Sequence, residues 1–166
     1  MLMSMRNRTL TLVACAAVVL VLPLAGVASA KTKDGCKAIT TDDVNAAFAA
    51  TAGGEAPEGT PTEYQGYTSC TWNFPNGATL FIGLNKVSKV SKQDFKERSK
   101  APGAEKVPGL KKSFFEPVEG GEGGTITFID GTTFVNLQYF TTGSAGDPVT
   151  VKDALTTLAK KAAKKL

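Results

Sequence analysis

The 166-residue sequence contains no histidine. That absence excludes Ser-His-Asp and Cys-His catalysis, His-ligated zinc and imidazole-based pH switching. Charge of one sign is also lacking. Beyond the first 30 residues, 17 Lys and Arg face 15 Asp and Glu, too even a balance for a nucleic-acid footprint. Tryptophan occurs once and cysteine three times, with no Cys-x-x-Cys spacing, so neither a metal site nor a redox pair is expected. The run Gly120-Gly121-Glu122-Gly123-Gly124 lacks the following Lys-Ser/Thr of a phosphate loop, and its glutamate would repel phosphate. No carboxylate pair is placed for glycoside hydrolysis, and Ser113 and Ser144 have no identifiable base. No cofactor, metal or nucleic acid is expected.

What is present begins with an export signal. Arg6 and Arg8 precede an apolar run, Leu10 to Leu22, that breaks at Pro23 and ends in Ala28-Ser29-Ala30. A basic start, a short apolar helix and an A-x-A end mark a secretory signal peptide over 1–30, cleaved between Ala30 and Lys31. Two alternatives stand beside it. Leu12-Val13-Ala14-Cys15 spells a lipobox, which would make Cys15 an acylated N-terminus but leave an apolar tail at the anchor. Leu10 to Ala30 is also long enough to span a bilayer uncleaved, against which Pro23 and the small-residue end argue. After cleavage about 136 residues remain, enough for one domain with a real core, placed at 36–166 behind a flexible start at 31–35.

With Cys15 removed, Cys36 and Cys70 remain, and an even count in an oxidising compartment predicts one disulfide. Thr40 and Asp43 form a helix-capping pair, with Ile39 stapled to Val44 and Gly53-Gly54 ending the helix. Asp42 and Asp43 are read as dipole-matched acids rather than calcium ligands. Gly53 to Pro61 reads as a surface loop. Cys70, Trp72 and Phe74 then alternate with polar residues, as do Ala78, Leu80, Ile82 and Leu84. A three-residue turn over Pro75-Asn76-Gly77 pairs Trp72 with Leu80 and Cys70 with Ile82, gathering the apolar set on one face. Trp72 is therefore expected in the core beside the disulfide rather than as a ligand-stacking platform. Ser91 is expected to cap a helix through Lys100 that is anchored by Phe95. Strands follow at 113–118, 125–129 and 132–140, with a flexible loop at 119–124. An Asp130-Gly131 turn would pair Ile126 with Val135 and Phe128 with Thr133. Asp147-Pro148 opens a last helix with an apolar stripe of Val151, Leu155, Leu158, Ala162 and Leu166. Lys160, Lys161, Lys164 and Lys165 at its end match the helix dipole, with docking to an anionic envelope as the alternative reading. The order α-βββ-α-βββ-α implies an α+β fold, an antiparallel sheet with packed helices. Its two halves hint at pseudo-symmetry without a residue-level repeat.

Cys36-x-x-Ile39-Thr40 before a helix, Cys70-x-Trp72, Val107-Pro108-Gly109-Leu110 and an Ala/Leu-rich C-terminal helix together give a pattern. It resembles the exported actinobacterial proteins and lipoproteins of the domain-of-unknown-function 3558 type, over nearly all of 36–166. The resemblance implies a secreted or membrane-tethered α+β domain with a Cys–Cys bridge and carries no catalytic residues across. Ala28-Ser29-Ala30 stands where members commonly carry a lipobox cysteine, which favours release. Gly109-Leu110-Lys111-Lys112 replaces the family's Gly-Leu-Gly-Asp turn.

Phe81 is the residue that the core pattern does not absorb. It points away from Leu80 and Ile82, among Thr71, Asn73 and Thr79. Either the helix of Phe95 covers it, which is the expectation, or it belongs to an exposed binding surface. Glu119 and Glu122, in the loop 117–124, are the other candidate contacts. The reading is a secreted or envelope-associated binding domain whose partner is a protein, an envelope component or a small apolar ligand. A His-independent envelope hydrolase and an inhibitor or sensor presenting loop 117–124 are the alternatives.

Overall fold

The computed structural model describes residues 33–118, 123–142 and 148–166. The cleavage site at Ala28, Ala30 and Lys31, the acylation alternative at Cys15, the helix cap Asp147, and Glu119 and Glu122 lie outside them. Six strands form one antiparallel sheet in the order β1-β2-β3-β6-β5-β4. They are β1 Thr60–Tyr64, β2 Tyr67–Asn73, β3 Thr79–Lys86, β4 Ser113–Pro117, β5 Gly123–Asp130 and β6 Thr133–Phe140. Among the described residues four helices accompany them: α1 Gly35–Ala38, α2 Thr41–Phe48, α3 Lys89–Arg98 and α4 Pro148–Lys165.

Alternation decides which side of each strand is buried. Cys70 and Trp72 of β2, Leu80, Ile82 and Leu84 of β3, Val135, Leu137 and Tyr139 of β6, and Ile126 and Phe128 of β5 share the inner face in one core. Helices α1, α2 and α4 pack on that face, α4 lying across β5 and β6 and against α2. The apolar stripe of α4 closes the core with Val151, Leu155, Leu158 and Ala162, each no more than 1% exposed. Phe48 of α2 stacks on Tyr139, their ring centroids 4.5 Å apart.

The expected first hairpin forms as read, with Trp72 opposite Leu80 and Cys70 opposite Ile82. Gly77 takes φ 83°, the left-handed position that its three-residue turn requires. Cys36 and Cys70 are joined, their Cα atoms 5.0 Å apart, so the disulfide fixes α1 to β2. Trp72 is 1% exposed, and its indole N–H donates to the Thr41 hydroxyl at 3.0 Å. The Thr40/Asp43 capping box of α2 is present.

Five expectations need correction. First, Asp34 already caps a short helix and Gly35 is buried, so the chain is structured ahead of residue 36. Second, the segment read as a loop to Pro61 ends in an edge strand, β1, joined to β2 by a two-residue turn at Gln65-Gly66, both with positive φ. Third, α3 is capped by Ser88, not Ser91; Ser91 instead supplies the reciprocal N3 partner of that cap. Fourth, the second hairpin is shifted by two residues. Ile126 lies opposite Leu137 and Phe128 opposite Val135, because Gly131-Thr132 forms the turn and Asp130 pairs with Thr133. A two-residue shift leaves every side chain on its face, so the core is unchanged. Fifth, Gly123 and Gly124, expected in a flexible loop, belong to β5. The Phe115 ring occupies the space that a Cβ on Gly124 would fill, so glycine there serves packing, not mobility.

Candidate functional site

The inner face is filled by helices, and the two sheet edges are blunted. Tyr64 and Tyr67 flank the two-residue turn, so Thr60, Thr62 and Tyr64 bond to β2 while Pro61 and Glu63 face the free edge. Pro61 has no N–H to offer there. On β4 the outward-facing Phe115 exchanges both backbone hydrogen bonds with Glu105, at 2.9 and 2.7 Å. Pro117, two residues on, removes the next outward donor. Strand addition is thereby disfavoured at both edges, which leaves the outer face.

Pairing rows define that face. One runs Thr71–Phe81–Gln138–Thr125–Glu116 and the next Ser69–Gly83–Asn136–Thr127–Phe114. Tyr64 sits opposite Tyr67, Asn73 opposite Thr79, and Thr79 opposite Phe140. The connection from β3 to β4 must pass β6 and β5 to reach the far edge, and α3 lies in it. Its last turns hold the β4 side. Phe95 meets Phe114 edge-on at 5.1 Å, and Arg98 lies over the same ring while pairing with Glu116. Phe114 is 2% exposed and Thr127 wholly buried, its hydroxyl without a hydrogen-bond partner among the described residues.

Phe95, the anchor of the helix expected over Phe81, packs on Phe114 of β4. Phe81 stacks instead on Tyr67, with centroids 6.3 Å apart and planes 22° from parallel. Gly83 makes the stack possible. A Cβ there would lie 2.6 Å from the Tyr67 hydroxyl oxygen and 2.9 Å from the Phe81 ring. Both rings stay half-buried, and burial raises the Tyr67 phenol above its ordinary pKa, so it remains a neutral hydroxyl at physiological pH. Nearby stand the half-buried Thr71, Thr79, Asn136 and Gln138 and the exposed Asn73, whose side-chain oxygen accepts from the Thr79 hydroxyl at 3.1 Å. Two of the most exposed large apolar side chains, Tyr64 at 66% and Phe140 at 40%, lie on the same face.

Sequence reasoning found Phe81, Thr71, Asn73 and Thr79 and missed Tyr67, Gly83, Gln138 and Tyr64. Gly83 was the available signal, because a glycine inside a strand often marks a close approach. The alternative docking surface at the C-terminal lysines is partly accounted for otherwise. Asp43 holds Lys161 at 2.7 Å and Lys165 at 3.3 Å, so half of the C-terminal lysine cluster is tied to α2. Lys161 is the main cause that holds the Asp43 carboxyl far below the usual carboxylate range. Among the described residues no group of three or more Cys, Asp or Glu is placed to hold a metal ion, and no helix is long and apolar enough to cross a membrane.

No family model, curated protein or solved structure matches the chain.

Proposed function

We propose that this chain is an exported binding domain of the cell envelope or extracellular space, which engages its partner through the outer face of the sheet. The observation that carries the reading is the Tyr67–Phe81 stack, half-buried on the outer face of the sheet, away from the β4 side that α3 holds. Tyrosine is enriched at interfaces, where one end of its ring is apolar and the other wet, and a partly wet aromatic pair amid hydrogen-bonding side chains fits that pattern. The signal-peptide pattern, the Cys36–Cys70 bridge and the resemblance to exported proteins of the domain-of-unknown-function 3558 type support export. The protein acts by binding and is not an enzyme, a reading drawn from the lack of histidine and of any catalytic constellation in the sequence.

Co-sedimentation of the disulfide-bonded protein with envelope prepared from its own cells tests this. Wild type pellets with the envelope, and Phe81→Ala stays in the supernatant while keeping its circular dichroism. Equal pelleting of the two proteins would end the proposal.

A further inference from the structure

The chemistry of the outer face narrows the kind of ligand. Along all six strands the one charged side chain on this face is Glu116, and it is paired with Arg98. The remaining charged strand residues, Glu63, Lys86 and Asp130, pair at inner-face positions. The open part, over β1, β2, β3 and β6, is made of aromatic rings, hydroxyls and carboxamides. A charged ligand would lose its hydration there without gaining a counter-charge from the strands. A wholly apolar ligand would strip water from Asn73, Asn136 and Gln138 and leave their donors and acceptors unpaired. Charge complementarity therefore calls for an uncharged ligand, and one that joins apolar C–H faces to dense hydroxyls.

We infer that the Tyr64–Tyr67–Phe81 side of the sheet binds an uncharged polysaccharide. Pyranose rings lay their C–H faces on the solvent-exposed parts of the half-buried Tyr67 and Phe81, whose planes lie 22° from parallel. Tyr64, directly opposite Tyr67 and two-thirds exposed, adds a third ring on the β1 side. Ring hydroxyls exchange hydrogen bonds with Thr71, Asn73, Asn136 and Gln138. The site needs no proton transfer and no metal, and the raised Tyr67 phenol stays protonated as a donor. Because no ion pair forms, binding is insensitive to salt, unlike a lysine-driven contact. The inference rests on the outer-face reading above and adds the class of its partner.

Affinity electrophoresis of the disulfide-bonded protein through gels containing a soluble β-glucan, an α-glucan or a galactomannan tests it, with polygalacturonate as the charged comparator. At least one neutral polymer retards the wild type, equally at about 0.05 and 0.5 M salt. Phe81→Ala and Tyr67→Ala each weaken that retardation roughly tenfold, the factor that about 1.4 kcal/mol makes. Val90→Ala and Val149→Ala, at exposed apolar positions on α3 and α4, leave it unchanged. Urea titration verifies that all four variants are folded. The inference is overturned if no neutral polymer retards the wild type, if only polygalacturonate does, or if the Phe81→Ala protein migrates like wild type. Phe81-dependent envelope binding without any neutral-polymer retardation would sink the polysaccharide and spare the binding face. Self-association through that face, seen as a Phe81-dependent dimer in sedimentation equilibrium, would replace the glycan with a second copy.

Discussion

Removing the disulfide by the paired substitution Cys36→Ala and Cys70→Ala is the perturbation whose size follows most directly from the structure. The two residues are 34 apart in sequence, and Cys70 is wholly buried in the core between Gly59 and the inner helices. Alanine at 70 avoids placing a hydroxyl in that apolar site. In the chain-entropy model, opening a loop of this length releases roughly 3.8 kcal/mol of unfolded-state restraint at 25 °C. For a domain of this size that corresponds to a fall in Tm of about 10–15 °C. The unfolded ensemble also becomes more open, so the denaturant dependence steepens as the midpoint falls. Urea titration followed by Trp72 fluorescence reads both quantities, since that indole is the only one and is 1% exposed in the native state. A loss under about 1 kcal/mol with an unchanged slope would refute the reasoning. It would mean that α1 is held on β2 without the covalent link and that the bridge does not restrain the unfolded chain.

Other outcomes follow from single contacts. Asp43→Asn removes the ion pairs to Lys161 and Lys165 and weakens the α2 cap, at a cost of about 1–2 kcal/mol by urea titration at pH 7. The native Asp43 carboxyl is depressed, so its contribution is complete above the ordinary carboxylate pKa near 3.9 and is lost as pH falls toward the lowered native value. Wild-type stability therefore declines below about pH 4, and the Asp43→Asn protein shows a shallower decline over the same range. Gly124→Ala forces the Phe115 ring aside and costs about 1–3 kcal/mol, read as a lower urea midpoint. Gly83→Ala displaces the Tyr67 ring from Phe81, visible as shifted aromatic resonances of both, while the inner core signals stay in place.

The inner half of the molecule was legible because it obeys one rule. Strict alternation through Cys70, Trp72 and Phe74 and through Leu80, Ile82 and Leu84, with Gly77 at the turn, admits one register that buries them together. The second hairpin was misplaced by two residues because Asp130-Gly131 and Gly131-Thr132 are both acceptable turns, and alternation cannot separate registers two residues apart. Strand β1 left no signal: all five of its residues are exposed, it includes Pro61, and its ladder with β2 is its principal tie to the sheet. The outer face was the hardest to read. Its central aromatic contact joins Tyr67 and Phe81, which are not paired in the ladder; Tyr67 reaches across Gly83, the partner of Ser69. The helix of Phe95 was expected over Phe81. The helix instead anchors where the chain is going, on Phe114 of β4.

Side-chain amide resonances report directly on binding through the outer face of the sheet. Asn73, Asn136 and Gln138 stand on the outer face, while the Asn45 carboxamide is bonded to the backbone of Ala56 at the edge of the helical layer, at 2.8 and 3.2 Å. In an NMR titration of the disulfide-bonded protein with solubilised envelope fragments, resonances shift at Asn73, Asn136 and Gln138 while Asn45 stays unmoved. Shifts confined to Asn45 and the α2–α4 side, with the outer-face amides silent, would contradict it.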